Sequence, residues 1–288
     1  FLYDEDTTRQ SVHSIERLSD PAGLAQAFQR SSIGTVILTD HVATSVEARR
    51  TLFAQVEHGT RFMRLQDFYE ILLRRVPLGM INEAWFLERI DLRSKRLYGM
   101  FKRAIDIIVA LAGMLVFLPF WPILAASIRL GSKGPVLFKQ KRLGRGNKVF
   151  TIYKFRTMRV EGNDQAPTAK GDRRITALGS FMRKTRLDEV PQLLNILRGE
   201  MSFVGPRPER PELAAELEKA IPFYRQRHMV KPGITGWDQV SGEYHSPSIE
   251  DTYKKLQYDL YYLKNMSFFL DVSIFFKTIV TVLSRGGR

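Results

Sequence analysis

Apolar and polar positions alternate differently along three successive stretches of the chain. Over residues 1–90 the apolar runs are short. Thr35-Val-Ile-Leu38 is the brief β-branched run expected of a buried strand. Val42 to Val56 follows with helical spacing, and Arg61-Phe-Met-Arg-Leu65 reads as a second strand. Asp67-Phe-Tyr-Glu70 then opens a short helix with Asp67 as its predicted N-cap. The order strand, helix, strand, helix predicts a partial α/β module, Rossmann-like in its parallel connectivity. No Gly-x-Gly-x-x-Gly follows the first strand, so the pattern carries no dinucleotide site. A regulatory or oligomerisation role is expected of such a module.

Residues 91–133 change character. A basic stretch, with Arg93, Lys95, Arg96, Lys102 and Arg103, precedes Ile107–Ile128, which holds no charged side chain. As a helix at ~1.5 Å per residue this segment reaches roughly 33 Å, the thickness of a bilayer core. Pro119 and Pro122 sit inside it, and each removes a backbone donor, so a straight span is not expected. Lys102 and Arg103 before it, with Arg129 and Lys133 after it, place both ends on the cytoplasmic side. A proline-broken, re-entrant membrane helix satisfies that pattern; a buried core helix is the alternative.

Residues 134–288 form the third stretch. Val149-Phe-Thr-Ile-Tyr153 is strand-like, Gly144 and Gly146 mark a turn, and Glu161–Asp172 is polar enough for a surface loop. Residues 173–200 are helical in pattern and end at Gly199. Ser267–Leu283 is strongly apolar, with Ser267, Asp271, Thr278 and Thr281 forming a narrow polar stripe. This predicts an amphipathic interfacial helix, or one packed on the protein's own core. The expected fold is therefore an α/β N-terminal fragment followed by a mostly α domain bearing the membrane segments.

Composition narrows the partners. The 288 residues carry a formal net charge of +14, which calls for an anionic partner: nucleic acid, an anionic membrane or phosphorylated substrates. Eight Lys or Arg and no acid fall between Lys139 and Arg159. There is no cysteine, which excludes disulfides, thiolate metal sites and cysteine nucleophiles. The chain opens on Phe1 without a secretory signal, as the interior part of a longer protein would.

The chemistry concentrates in Arg183-Lys-Thr-Arg-Leu-Asp-Glu-Val-Pro-Gln192 and Met201-Ser-Phe-Val-Gly-Pro-Arg-Pro208. Asp188 and Glu189 stand just before Pro191, near the N-cap of a helix expected to run to about Arg198. The helix dipole, with Arg183, Lys184 and Arg186 upstream, favours an ionised Asp188. An ionised Asp among cations is a competent nucleophile towards phosphorus, and a neighbouring carboxylate suits Mg²⁺. The other reading is an Asp that caps a helix and a Glu that complements its dipole. Arg207, fixed between two prolines, aims a guanidinium with little entropy loss.

Taken together these blocks resemble the polyprenyl-phosphate glycosyl-1-phosphate transferases, the monotopic bacterial sugar transferase family, over roughly residues 99–286. The carriers are Lys102-Arg-Ala-Ile-Asp106, the proline-broken helix, Gly134-Pro-Val-Leu-Phe-Lys-Gln140, Tyr153-Lys-Phe-Arg-Thr-Met158, Leu187-Asp-Glu-Val-Pro-Gln192 and Val204-Gly-Pro-Arg-Pro208. The resemblance implies that Asp188 is the nucleophile towards a UDP-sugar, releasing UMP and passing a sugar phosphate, of hexose type, to undecaprenyl phosphate. It implies Mg²⁺ as cofactor with Glu189 and Asp188 at the metal, and Lys154, Arg156, Arg183 and Arg207 as phosphate contacts. The implied location is the bacterial inner membrane, catalytic side to the cytoplasm, with membrane lipid as a partner. Residues 1–90 resemble the soluble module preceding the catalytic domain in longer members, a natural surface for a homodimer.

Two rival classes are weighed against this. A nucleic-acid-binding protein fits the charge, but the standard recognition motifs are missing, so no nucleic acid partner is expected. A catalytically inactive membrane scaffold would not need the Asp-Glu pair. His228 reads as a packed or surface histidine rather than a base. Trp237, after Lys231-Pro-Gly-Ile-Thr-Gly236, which reads as turns, either stacks on a ligand or fills the core.

Overall fold

The computed structural model describes residues 2–3, 17–18, 21–38, 46–159, 172–241 and 248–285. The chain forms two compact units, Phe1–Met80 and Ile81–Arg288. In the first, strands β1 (Leu2–Tyr3) and β2 (Arg17–Leu18) pair in parallel. They are followed by α1 (Pro21–Arg30), β3 (Thr35–Leu38), α2 (Val46–Ala54), β4 (Arg61–Arg64) and α3 (Leu65–Leu73). Strands β3 and β4 run parallel, Thr35 opposite Arg61 and Leu38 opposite Arg64, joined through α2. The expected strand-helix-strand order is therefore present. Leu24, Ala27, Ala48 and Leu52 bury one face of α1 and α2 against Val36, Leu38 and Phe62. Helix α3 starts earlier than expected: Arg64 is its N-cap, so Asp67 lies inside the first turn, where a carboxylate still complements the dipole.

The boundary falls ten residues before the one read from the sequence. Helix α4 (Glu83–Arg89) packs within the second unit, because its aromatic side chains find partners there. The Phe86 ring lies 5.0 Å from that of Phe223, and Lys264 Nζ sits 5.6 Å from the centre of Trp85.

Next comes α5 (Arg96–Phe117), a 3₁₀ turn at Leu118–Phe120, and α6 (Trp121–Gly131). Among the described residues, Arg96–Gly131 is the one helical segment long and apolar enough to cross a membrane, and almost none of its apolar stretch is buried. The basic residues from Arg96 to Arg103 form the opening turns of this helix instead of a separate lead-in. Pro119 and Pro122 stand in the first turns of the 3₁₀ segment and of α6, where a missing N–H costs little.

Both ends of this segment are tied to the body by polar clamps. Arg103 donates to the carbonyls of Ile196 and Leu197, and Asp106 accepts from Ser202 Oγ and Phe203 N, both at 3.1 Å. At the far end Arg156 donates to the carbonyls of Ile128, Ser132 and Lys133, closing the C-terminus of α6. Ile128 buries beside Phe155 and Met182.

A hairpin follows: β5 (Leu137–Leu143) pairs antiparallel with β6 (Val149–Phe155), turning at Gly144–Asn147 with Gly146 at φ 66°. Only the second strand is expected from the sequence pattern. The polar run assigned to a loop at Glu161–Asp172 lies, apart from Asp172, outside the described residues.

Helix α7 (Ala177–Thr185), a 3₁₀ turn at Leu187–Gln192 and α8 (Leu193–Arg198) account for the predicted helical region, with Gly199 closing it at φ 81°. Strand β7 (Ser202–Val204) precedes α9 (Pro211–Ala220), a 3₁₀ turn at Tyr224–Met229 and β8 (Gly233–Thr235). The stretch read as turns thus contains a strand, parallel to β7. Gly233 and Gly205 back onto each other there: a Cβ on Gly233 would stand 2.2 Å from Gly205 N.

Helices α10 (Ile249–Asn265) and α11 (Phe268–Arg285) end the chain. Asp271 and Thr278 of the polar stripe face inward. Asp271 accepts from Tyr98 (2.7 Å), Tyr262 (2.8 Å) and Lys102 (2.5 Å), and the hydroxyls of Thr278 and Thr235 meet at 2.7 Å. Phe269, Phe276, Val280 and Leu283 point outward and stay exposed. A helix with its polar side in and its apolar side out presents a surface suited to lipid or to another apolar partner.

Candidate active site

Asp188 and Glu189 lie in the 3₁₀ turn between α7 and α8. Arg186 sets this turn up: it ends α7 and caps the 3₁₀ segment in the left-handed region, at φ 60°. Asp188 is therefore one residue inside the segment, not its cap, and Pro191 sits within the turn. Strand β6 brings Lys154 to the same place. Its register there is held by Asn195, which accepts from Tyr153 N at 3.2 Å and donates to Thr151 O at 2.7 Å. From the other side, β7 leads through Gly205-Pro206 to Arg207, whose carbonyl accepts from Arg227 Nη2 at 3.0 Å.

These elements surround Glu189 with cations. Lys154 Nζ donates to Oε1 at 2.8 Å, Arg207 Nη2 approaches the same oxygen at 3.5 Å, and Arg186 Nη1 lies 3.5 Å from Oε2. Burial works against the Glu189 charge, yet Lys154, Arg207 and Arg186 hold its carboxyl well below the ordinary range. Asp188 behaves oppositely. Burial, then the neighbouring Glu189 charge, raise its carboxyl above the ordinary value against the pull of Lys154, Arg183 and Arg186. The expected ionised Asp188 is thus corrected: desolvation, which the linear sequence does not display, outweighs the upstream cations and the helix end. Asp188 Oδ1 is buried with no hydrogen-bond partner, whereas Glu189 is engaged on both oxygens.

The expected phosphate contacts divide into two sets. Lys154 and Arg207 touch Glu189, and Arg183 stands in the field of Asp188 with its Nε donating to Thr157 Oγ1 at 2.9 Å. Arg156 is buried and engaged at the end of α6, so its visible work is structural. Arg186, quoted from sequence only as a neighbour of Asp188, emerges as a direct partner of Glu189. His228 is buried, and burial followed by Arg227 and Arg225 lowers its ring to about 3, so it stays neutral. Trp237 is core: it stacks on Tyr261 with Lys277 Nζ 4.6 Å from its ring centre.

Among the described residues no group of three or more His, Asp or Glu converges as a metal cage. Two adjacent carboxylates, one with an unpartnered oxygen, do suit Mg²⁺, which takes one or two carboxylates and completes its shell with water and substrate phosphate. A buried, desolvated carboxylate within a ring of cations can serve as a nucleophile towards an anionic phosphorus, because the cations lower the repulsion between the two.

Comparison with known proteins bears on this geometry. The description "Bacterial sugar transferase" matches residues 97–285, more than half of the chain. A UDP-N-acetylgalactosamine-undecaprenyl-phosphate N-acetylgalactosaminephosphotransferase of Aeromonas hydrophila is 45% identical over 225 residues, covering 77% of this chain and 52% of that protein. The UDP-glucose:undecaprenyl-phosphate glucose-1-phosphate transferase of Escherichia coli K12 is 40% identical over 259 residues, 89% of this chain and 56% of that protein. Exopolysaccharide production protein PSS of Rhizobium leguminosarum bv. phaseoli is 44% identical over 193 residues, 64% of this chain and 96% of that protein. The chain spans about half the length of the first two. The match across the apolar helix, the carboxylate turn and the last helix shows that this chain belongs to the bacterial sugar transferase family.

Proposed function

We propose that the chain transfers a hexose-1-phosphate from a UDP-sugar to undecaprenyl phosphate at the cytoplasmic face of the bacterial inner membrane, as the first membrane step of an extracellular polysaccharide. The observation that carries this is the buried, unpartnered Asp188 oxygen beside a Glu189 held by three cations. In this reading an Asp188 oxygen attacks the β-phosphorus of the donor. The new O–P bond forms as the bond to the α,β-bridging oxygen breaks, and UMP leaves with that electron pair. An acceptor phosphate oxygen then attacks the same phosphorus, and Asp188 departs as a free carboxylate.

Lys154, Arg183, Arg186 and Arg207 would hold the diphosphate and neutralise charge as it develops in each transition state. Mg²⁺, which Asp188 and Glu189 would hold with the donor phosphates, supplies further neutralisation when bound. Arg156 contributes by fixing α6. The donor sugars in the names of relatives, glucose and N-acetylgalactosamine, support the hexose class.

The re-entrant path of Arg96–Gly131 belongs to the same proposal. Its support is that Ala110 and Ile128, from α5 and α6, bury in two clusters that share Val190, next to the carboxylates. Residues 1–80 supply a parallel α/β unit whose proposed role is regulation or homodimer formation.

The test is UMP release in nanodiscs from UDP-glucose, UDP-galactose and UDP-N-acetylgalactosamine, with undecaprenyl phosphate and Mg²⁺. Release from one donor, absent in Asp188→Asn, is the expected outcome. Equal release by the variant would refute the covalent step.

A further inference from the structure

Arg207 stands between Pro206 and Pro208, which have no backbone N–H, so its loop is anchored through carbonyl oxygens. Four successive ones are held. Pro206 O accepts from Gly233 N at 3.0 Å, and Glu209 O from Leu143 N at 2.9 Å. Between them, guanidinium groups take over: Arg227 Nη2 donates to Arg207 O and Arg142 Nη1 to Pro208 O, both at 3.0 Å. Arg142 is balanced within the loop itself, by Glu209 at 3.1 Å. Arg227 is balanced from a distant element, since Asp259 of α10 lies 2.7 Å from its Nη2 and both side chains are buried. Its Nη1 donates to the buried Tyr224 hydroxyl at 2.7 Å, which fixes the plane of the guanidinium.

A buried ion pair is weak evidence for stability, because desolvation offsets much of the attraction and well-packed apolar residues often serve as well. Apolar residues could not, however, hold a carbonyl of the site loop. Arg207 needs that hold: its side chain is 46% exposed and approaches Glu189 only to 3.5 Å, so its aim rests on its backbone. Helix α10 grips the approach to the loop a second time. Tyr262, three residues after Asp259 and on the same helix face, sets its hydroxyl 3.3 Å from Val204 O.

Resting on the proposed reaction, we propose that Arg227 and Asp259 are positioning residues for Arg207: the pair fixes the Arg207 carbonyl and so aims its guanidinium at the donor diphosphate. Both act through the Arg207 backbone. A lysine at position 227 would keep the charge but replace a planar fork with a point charge, which cannot serve Asp259, Tyr224 and Arg207 together.

The test is a double-mutant cycle in nanodiscs, reading UMP release from the UDP-sugar with undecaprenyl phosphate and Mg²⁺. Arg227→Lys should lower kcat/KM for the donor by on the order of 10²-fold, the cost of misplacing a group by about 1 Å. In an Arg207→Ala background the same substitution should cost almost nothing more, because its effect passes through a side chain already removed. A purely structural role would lower both backgrounds alike. Losses that multiply in the double variant would therefore overturn the assignment, as would an Arg227→Lys protein as active as the unaltered one.

Should Arg227→Lys fail to fold, Arg227→Met combined with Asp259→Leu removes both charges together and leaves neither buried alone. This protein should keep a melting midpoint close to the unaltered one and still lose activity, again only where Arg207 is present. A structure of Asp188→Asn with the UDP-sugar bound depends on neither variant. It should show the Arg207 guanidinium on the diphosphate while the Arg207 carbonyl stays on Arg227. A guanidinium turned away from the diphosphate, or a carbonyl released from Arg227, would overturn the proposal. Absence of UMP release from the unaltered protein would instead refute the proposed reaction, so the two failures are distinguishable.

Discussion

Asp188 and Glu189 are adjacent and both buried, and burial raises both carboxyls, yet their net shifts run in opposite directions. Glu189 keeps its charge because three cations reach it, whereas Asp188 is left with an unpartnered oxygen. A carboxyl raised by the fold, as in Asp188, contributes stability that is fully present below its ordinary value and is lost as pH rises from there through the raised one. Glu189, lowered by the fold, contributes stability above the ordinary glutamate range, and this is lost as pH falls. Asp188→Asn should therefore abolish transfer, by on the order of 10³-fold or more, while raising the melting midpoint at neutral pH by about 2–4 °C. The stability difference should shrink towards pH 4, as differential scanning fluorimetry in nanodiscs can follow; a variant less stable at every pH would contradict the desolvation argument. Transfer itself should fall on acidification at a higher pH than an ordinary aspartate would give. Lys154→Met, which strips the closest cation from a buried Glu189, should cost about 3 kcal/mol of stability and show it as a lowered unfolding midpoint.

At the scale of elements, the sequence made the long periodic pieces legible and hid the short ones. The apolar helix, its proline break and the Gly199 stop were readable because each rests on local rules of spacing and backbone freedom. Strand β5 was not: Lys139, Lys141 and Arg142 mask any apolar alternation, and only the pairing with β6 makes it a strand. Strand β8 escaped for a related reason, since its glycine serves a backbone approach that no local pattern announces. The site was legible as a motif, but the division of labour within it was not. Nothing along the chain reveals that Arg156 would close α6 while Arg186 turned to Glu189, because both roles are tertiary. The inward-facing Asp271 of α11 makes its own prediction. Asp271→Ala would leave Tyr98 and Tyr262 without their shared acceptor, at a cost of about 2–3 kcal/mol. It should loosen α11 from α5, read as faster hydrogen exchange confined to these two helices.

For the whole molecule, the two units pose separate questions. Net charge alone would make membrane attachment a matter of salt, but the outward apolar faces of α5, α6 and α11 make it a matter of insertion. Membranes washed with 1 M salt, a Debye length of about 3 Å, should retain the protein, and only detergent should release it. Release by salt would reduce the apolar faces to a surface docked on another protein. The Asp271 junction has a mechanical corollary. Because one carboxylate of α11 gathers Tyr98 and Lys102 of α5 with Tyr262 of α10, these helices would move as one body against a bilayer. On the proposed function, a thinner or thicker bilayer would then shift the height of Asp188 and Glu189 above the lipid instead of deforming the protein, and lipid chain length would control turnover.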